Sequence, residues 1–180
     1  MDRSMSEKSP LFELRTQVKV SAAPDDVYAV VSDLPRSGEW SSECIGGEWI
    51  SGEPATVGAV FSGENLRDEK VVAWAPVVRG KWTTQSEIVA AEPGHTFRWA
   101  MRDTAGNRQE SVWGFDIEPA EGGCTLIHHF RMDRATEGIR GIVAEMDEQQ
   151  KRRFFTEWGA KVESDMTATL SRVKAVIDKS

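Results

Sequence analysis

Set at 100° per residue, Phe155, Trp158, Val162, Met166, Thr169, Val173 and Ile177 fall in one stripe of the last third of this chain, with Arg153, Glu157, Ser164, Ser171 and Ala175 opposite. The spacing predicts a single amphipathic helix from roughly Glu148 to Asp178. A helix of that length is not stable on its own stripe; it needs a wide apolar surface to rest on. A twisted antiparallel sheet of six or seven strands supplies one, so the upstream sequence must build it.

The upstream pattern does so. From Leu11 to Val20, Phe12, Leu14, Thr16, Val18 and Val20 alternate with Glu13, Arg15, Gln17 and Lys19, which reads as a half-buried strand. Pro24-Asp25-Asp26 then opens a helix with Val27, Val30 and Val31 on its apolar side. Leu34 to Gly38 breaks it and allows a second short turn ending near Trp40. From about Glu43 to Met132 the punctuation is that of an antiparallel meander. Its turns fall at Glu92-Pro93-Gly94-His95, at Asp103 to Asn107 and at Glu118 to Gly123. Phe97, Trp99 and Met101 share one strand face, as do Trp113, Phe115 and Ile117, and Leu126, His128, Phe130 and Met132. Residues 66–81 show no clean period and read as either a strand extension or an ordered loop. Ile139, Ile142 and Val143, set among Gly138 and Gly141, suggest a short, loosely held helical segment.

The fold class is therefore α+β: a curved antiparallel sheet of six to seven strands around a long C-terminal helix, with two short helices after the first strand. Residues 1–10 are polar and aperiodic and are expected to form a mobile arm, leaving residues 11–180 as a single domain. A curved sheet with one helix across its mouth rarely fills completely, so an internal cavity is expected.

Composition narrows the function. The 180 residues carry a formal net charge of −7, which gives no cationic footprint for nucleic acid. No apolar run approaches the ~20 residues of a membrane span, and the N-terminus lacks the apolar core of a signal peptide, so a cytoplasmic protein is expected. Two cysteines, Cys44 and Cys124, make no disulfide framework, and three histidines with them show no zinc-ligand spacing; no metal or cofactor is expected. Seven tryptophans stand beside a single tyrosine, Tyr28. Indole suits a dry core or the lining of a pocket.

Particular stretches resemble a known family. They are Val20 to Tyr28 followed by Asp33 and Trp40, then Val57 to Asn65, Trp82 to Ile88, Glu92 to Trp99, and Gly122 to Thr125. With these the chain, from about residue 11 to 178, resembles the START/Bet v 1-like superfamily, and within it the bacterial polyketide cyclase/dehydrase and lipid-transport group. The resemblance implies a helix-grip fold whose cavity takes an apolar or aromatic small molecule. Similar proteins include lipid carriers, metabolite binders, aromatase/cyclases and co-chaperone-like modules, and the fold does not select among them.

The candidate ligand-binding residues are the inward side chains of this arrangement: Trp40, Phe61, Asn65, Trp82, Thr84, Trp99, Trp113, Phe115, His128 and Phe130, with Phe155, Trp158, Gly159 and Val162 from the long helix. His128 is the candidate catalyst, as a general acid or base; the alternative is a core histidine bonded to a neighbouring strand or a water. Asn65 either orients a ligand carbonyl or hydroxyl or caps the turn after it. Gly159 in mid-helix costs ~1 kcal/mol relative to alanine, so either the helix approaches the sheet there or the missing side chain leaves room for a ligand. Glu39 and Glu43, where the helices hand over to the sheet, read as solvated acids or as a base or amine-binding carboxylate. Asp147/Lys151 and Glu157/Lys161 have helical spacing and read as surface pairs.

No GxSxG, phosphate-cradling loop or paired-carboxylate motif appears. Three functions remain open. The first is binding or carriage of an apolar, lipid- or polyketide-like molecule. The second is a cyclase/aromatase/dehydratase on a polyketide-like substrate, and the third a co-chaperone-like interaction module.

Overall fold

The computed structural model describes residues 9–179. The expected arm over residues 1–10 lies outside that range except for Ser9 and Pro10, which have no regular structure. β1 (Phe12–Val20) turns Glu13, Arg15, Gln17 and Lys19 to solvent and buries Phe12 and Val20. Pro24 and the acidic Asp25 and Asp26 open α1 (Pro24–Val31), which buries Val27, Tyr28 and Val31. A 3₁₀ helix follows at Leu34–Glu39.

Six strands come next: β2 (Cys44–Ser51), β3 (Val60–Arg67), β4 (Gly80–Glu92), β5 (Thr96–Arg102), β6 (Arg108–Ala120) and β7 (Gly123–Met132). They form one seven-stranded sheet with β1, in the order β1-β7-β6-β5-β4-β3-β2. Every neighbouring pair is antiparallel. The β4–β5 turn shows why glycine is placed where it is. Gly94 has φ 80°, which a type II turn demands at its third position, and the His95 N–H donates to the Glu92 carbonyl at 2.9 Å. The β6–β7 hairpin is tighter than its sequence suggests: Ala120 already pairs with Gly123, and Pro119 sits inside β6 opposite Cys124. The β5 ladder ends at Asp116, so on that side Pro119 has no strand waiting for the N–H it lacks.

Residues 68–79 form an ordered loop with a definite cause. Arg79 reaches back and donates to the carbonyls of Val71, Val72, Ala75 and Val77, at 2.7–3.1 Å. The grip holds Val72 at φ 40°, a conformation β-branched residues avoid. Trp74 then pins the loop to the last helix, its Nε1–H donating to Glu157 Oε1 at 2.8 Å.

α2 (Glu137–Val143) is capped by the Thr136 hydroxyl. α3 (Glu148–Asp178) opens on a capping box between Asp147 and Gln150. Its buried side is Phe154, Trp158, Val162, Met166, Thr169, Leu170 and Val173. α3 packs chiefly on β1 and α1 and more thinly on β7. β3, β4 and β5 therefore face it across a gap. Two apolar cores flank that gap: one gathers α1, Trp40, Phe97, Phe115 and Leu126, the other Phe12, Ala75, Val77, Phe130, Phe154 and Trp158.

The structure shows the helix-grip architecture expected from the sequence. It corrects both pairings expected on α3. Asp147 is a helix cap rather than a partner of Lys151, which meets Glu148. Glu157 meets Arg153 and Trp74 rather than Lys161. Lys161 turns inward to Glu43 and Asp165.

Candidate functional site

The gap between α3 and β3–β5 is a cavity of about 950 Å³. Five of the seven tryptophans line it: Trp40, Trp82, Trp99, Trp113 and Trp158. Strand alternation explains the sheet side. Phe61, Gly63, Asn65 and Arg67 share one face of β3, and Trp82, Thr84 and Ser86 share one face of β4; all line the cavity. Met101, Ser111, Trp113, His128, Phe130 and Met132 continue the wall, and α3 closes it with Trp158, Lys161, Val162, Asp165, Met166 and Thr169. The open side is bordered by Val78, by Thr104 and Ala105 of the β5–β6 hairpin, and by Glu137 and Gly138 of α2, all exposed. There the Thr104 N–H and hydroxyl both donate to the Glu137 carboxylate, at 2.9 and 2.8 Å.

Of the residues expected at the site, Trp40, Phe61, Asn65, Trp82, Thr84, Trp99, Trp113, His128, Phe130, Trp158 and Val162 lie on this wall. Three do not. Phe115 has the expected face but is wholly buried, its ring stacked on His128 at 4.2 Å and edge-on to Trp40. It is core beneath the cavity rather than lining. Phe155 sits at the edge of the helical stripe and packs on Phe12 and Phe154, while Phe154 takes the fully buried place. Gly159 faces β1: a Cβ there would meet the Phe12 ring at 3.5 Å, an ordinary contact, so the glycine neither leaves ligand volume nor is required by packing.

His128 is held by geometry. Its Nδ1 lies 2.8 Å from the Gly114 carbonyl oxygen, which only accepts, so Nδ1 carries the proton and Nε2 is the bare lone pair. Burial pulls its pKa from 6.5 down to about 4; the Gly114 bond offsets part of that, and His129 adds to it. The ring is neutral at pH 7. His129 points the other way, onto the outer sheet face beside Asp116.

Asn65 does not cap the turn. Its Nδ2 donates to Thr84 Oγ1 at 3.0 Å and to the carbonyls of Trp82 and Gly63 at 3.3 and 3.4 Å.

A charge cluster crosses the cavity wall. Arg67 donates from Nε and Nη2 to the two Glu43 oxygens at 2.7 and 2.8 Å, and from Nη1 to the Val78 carbonyl. Lys161 joins the same Glu43 carboxylate and Asp165 Oδ2, the latter at 2.6 Å. The Arg67 guanidinium lies 4.3 Å from the Trp82 ring centre and 4.9 Å from that of Trp158. Burial alone would raise the Glu43 carboxyl, but Arg67 and Lys161 together outweigh it and hold the pKa below the ordinary carboxylate value. The cluster is a neutral strut between the segment before β2, β3 and α3, set between two indoles.

Glu43 is thus no solvated acid, whereas Glu39 is exposed and paired with Arg36. Sequence reasoning missed Arg67, Lys161 and Asp165. Arg67 carried a usable signal, because it shares its parity with Phe61, Gly63 and Asn65. Cys44 lines the cavity half-buried and Cys124 is buried; both are free. Among the described residues no cluster of His, Cys, Asp and Glu is placed to hold a metal ion, and no helix is long and apolar enough to cross a membrane.

Solved structures share this architecture. A polyketide-cyclase-like protein from Corynebacterium glutamicum matches with TM-score 0.63 and 25% identity, over 94% of this chain and 93% of its own. The di-domain aromatase/cyclase StfQ of the steffimycin biosynthetic pathway matches with TM-score 0.66 and 14% identity, over 93% of this chain and 50% of its own, so this chain spans about half of it. A protein from Nitrosomonas europaea, NE0264, matches with TM-score 0.65 at 8% identity, over 96% of this chain and 97% of its own. No curated protein sequence matches. The family model described as polyketide cyclase/dehydrase and lipid transport matches residues 12–178, nearly the whole sheet-and-helix unit that encloses the cavity. With its sequence matched over that span and its helix wrapped by the same kind of sheet, this chain belongs to the polyketide cyclase/dehydrase and lipid transport family.

Proposed function

We propose that this protein binds and carries an apolar, aromatic-rich small molecule in the cavity between α3 and the sheet. The observation that carries the reading is the cavity itself: about 950 Å³, walled by five indoles. That volume is near the top of the ~300–1,000 Å³ range of small-molecule sites, and the wall chemistry suits flat rings better than a flexible polar chain. Carriage needs shape, apolar area and a few polar fixtures. Catalysis of a cyclisation or dehydration would also need a group that moves protons at working pH.

His128 does not suit that second task. A base with a pKa of about 4 is a weak proton acceptor at neutral pH, and an imidazole that is neutral there has no spare proton at Nε2 to give. Glu43, Arg67 and Lys161 are engaged with one another. The carrier reading therefore asks less of the residues present than the cyclase reading. The test is native mass spectrometry of the protein as purified from its own host, compared with its denatured mass. A non-covalent adduct whose extracted molecule is polycyclic or lipid-like is the expected result. If that molecule emerges chemically altered after incubation with the protein, and unaltered with a His128→Phe variant, the protein is an enzyme and the carrier reading fails.

A further inference from the structure

We propose that the cavity selects ligands that present hydrogen-bond donors, hydroxyls on a ring system above all, because two fixed acceptor atoms on its wall, His128 Nε2 and Asn65 Oδ1, are left without protein partners. The inference rests on the ligand-binding reading above and specifies the chemical class that the site takes.

The orientation of each group is set by its other end. The Gly114 carbonyl claims the proton on His128 Nδ1, and the ring is clamped flat against Phe115, with an angle of 9° between the planes. Nε2 is then an acceptor and nothing else. The Asn65 amide is oriented by two backbone carbonyls, Gly63 and Trp82, which face its nitrogen and would repel its oxygen. Its donors are spent there and on Thr84, so Oδ1 is the group left for a ligand. Among the described residues neither acceptor meets a donor, yet neither is sealed away from the cavity; the buried side-chain atoms that are orphaned lie on Arg79, Arg98 and His129.

Both side chains are more than nine-tenths buried, at 4% and 8% exposed. A buried acceptor filled by a ligand carbonyl or ether gains no bond and loses its water, while a hydroxyl restores the bond. The hydroxyls of Ser86, Ser111 and Thr84 can turn to donate or accept and so discriminate less. A ligand donor is thus read at positions that cannot adapt.

The test compares 2-naphthol with 2-methoxynaphthalene by quenching of the cavity tryptophans in the full-length protein. The methyl group adds apolar area, so burial alone favours the ether. The proposal expects the reverse, with 2-naphthol binding at least about fivefold tighter. It also expects nitrogen-15 correlation spectra of His128 to show a protonated Nδ1 and a bare Nε2, a measurement that needs no variant. Equal or tighter binding of the ether, or a proton on Nε2, overturns the proposal while leaving ligand binding intact. Binding of neither probe, at concentrations up to their solubility, removes the binding reading and this inference with it. His128→Phe is expected to bring the two affinities to within about twofold, with near-ultraviolet circular dichroism reporting that the tryptophan environments persist.

Discussion

The two ends of the sheet are filled differently. At the α1 end, Val27, Val31, Ile88, Phe97, Phe115, Leu126 and Val173 are wholly buried, joined by Tyr28 and Trp40. The packing there is apolar and dry. At the other end, α3 meets β3 through a charge strut, a loop held by one arginine, and a two-hydrogen-bond contact between the β5–β6 hairpin and α2. Apolar area supplies the driving force at the first end, while at the second a smaller apolar core around Phe12, Phe130 and Phe154 is supplemented by directional polar contacts. A cavity persists between them because α3 is seated by β1 and α1 and cannot also collapse onto β3–β5. The contrast assigns stability to one end and ligand access to the other.

The largest blow to that contrast is at the sealed end. Phe115→Ala should cost about 3–5 kcal/mol in urea unfolding, since a ring buried on every side leaves a cavity that its neighbours cannot fill. Trp82→Ala, on the cavity wall and half-buried, should cost clearly less and weaken aromatic probe binding more. Equal stability losses at the two positions would erase the distinction.

Next in size is a pH effect from His128. Its folded pKa of about 4 lies below the ordinary 6.5, so the unfolded chain takes up a proton that the fold refuses. Stability should be unaffected by this group above about pH 6.5 and should fall by roughly 3 kcal/mol as pH drops toward 4. Denaturant midpoints between pH 7.5 and 4 should show the slope, and His128→Phe should reduce it, leaving the smaller part from His129, whose pKa burial also lowers. Glu43, held below the ordinary carboxylate value, adds a loss of the same sign at still lower pH, as its carboxylate becomes protonated.

The strut comes third. Glu43→Gln leaves Arg67 and Lys161 facing a neutral amide at a part-buried site and should cost about 2 kcal/mol. Breaking the exposed Arg36–Glu39 pair with Arg36→Ala should cost under about 1 kcal/mol. If the two changes cost the same, the strut is no more than a surface pair. The smallest effect is a gain. Gly159→Ala meets only an ordinary contact with Phe12 and removes a helix glycine, so thermal unfolding should rise by about 0.5–1 kcal/mol of stability with probe binding unchanged.

The sequence was legible where a structure repeats itself. α1, α3 and the strand faces follow from periodicity, and α3 spans the expected range, Glu148–Asp178. The loop at 68–79 was not, because its order comes from one guanidinium reaching back to four carbonyls, which leaves no period to read. Phe115 shows the limit of alternation: parity fixes which face a side chain takes, but whether that face meets ligand space or α1 depends on where the helices land. Glu43 shows another limit. Its partners come from 24 and 118 residues away, so a rule that leaves acids in solvent had nothing local to correct it. Phe154 and Phe155 are neighbours 100° apart at the stripe's edge, where small rotations decide which is buried.

The most direct measurement is amide hydrogen exchange of the full-length protein with and without 2-naphthol. Ligand bound between α3 and β3–β5 should slow exchange in residues 68–79, in the 103–107 hairpin and in α2, whose local openings break the site, while amides of α1 and those beside Phe97 and Phe115 that exchange by global unfolding slow by the stability that binding adds. Slowing confined to the α1 end, or no change anywhere at millimolar probe, would contradict a ligand site in this cavity.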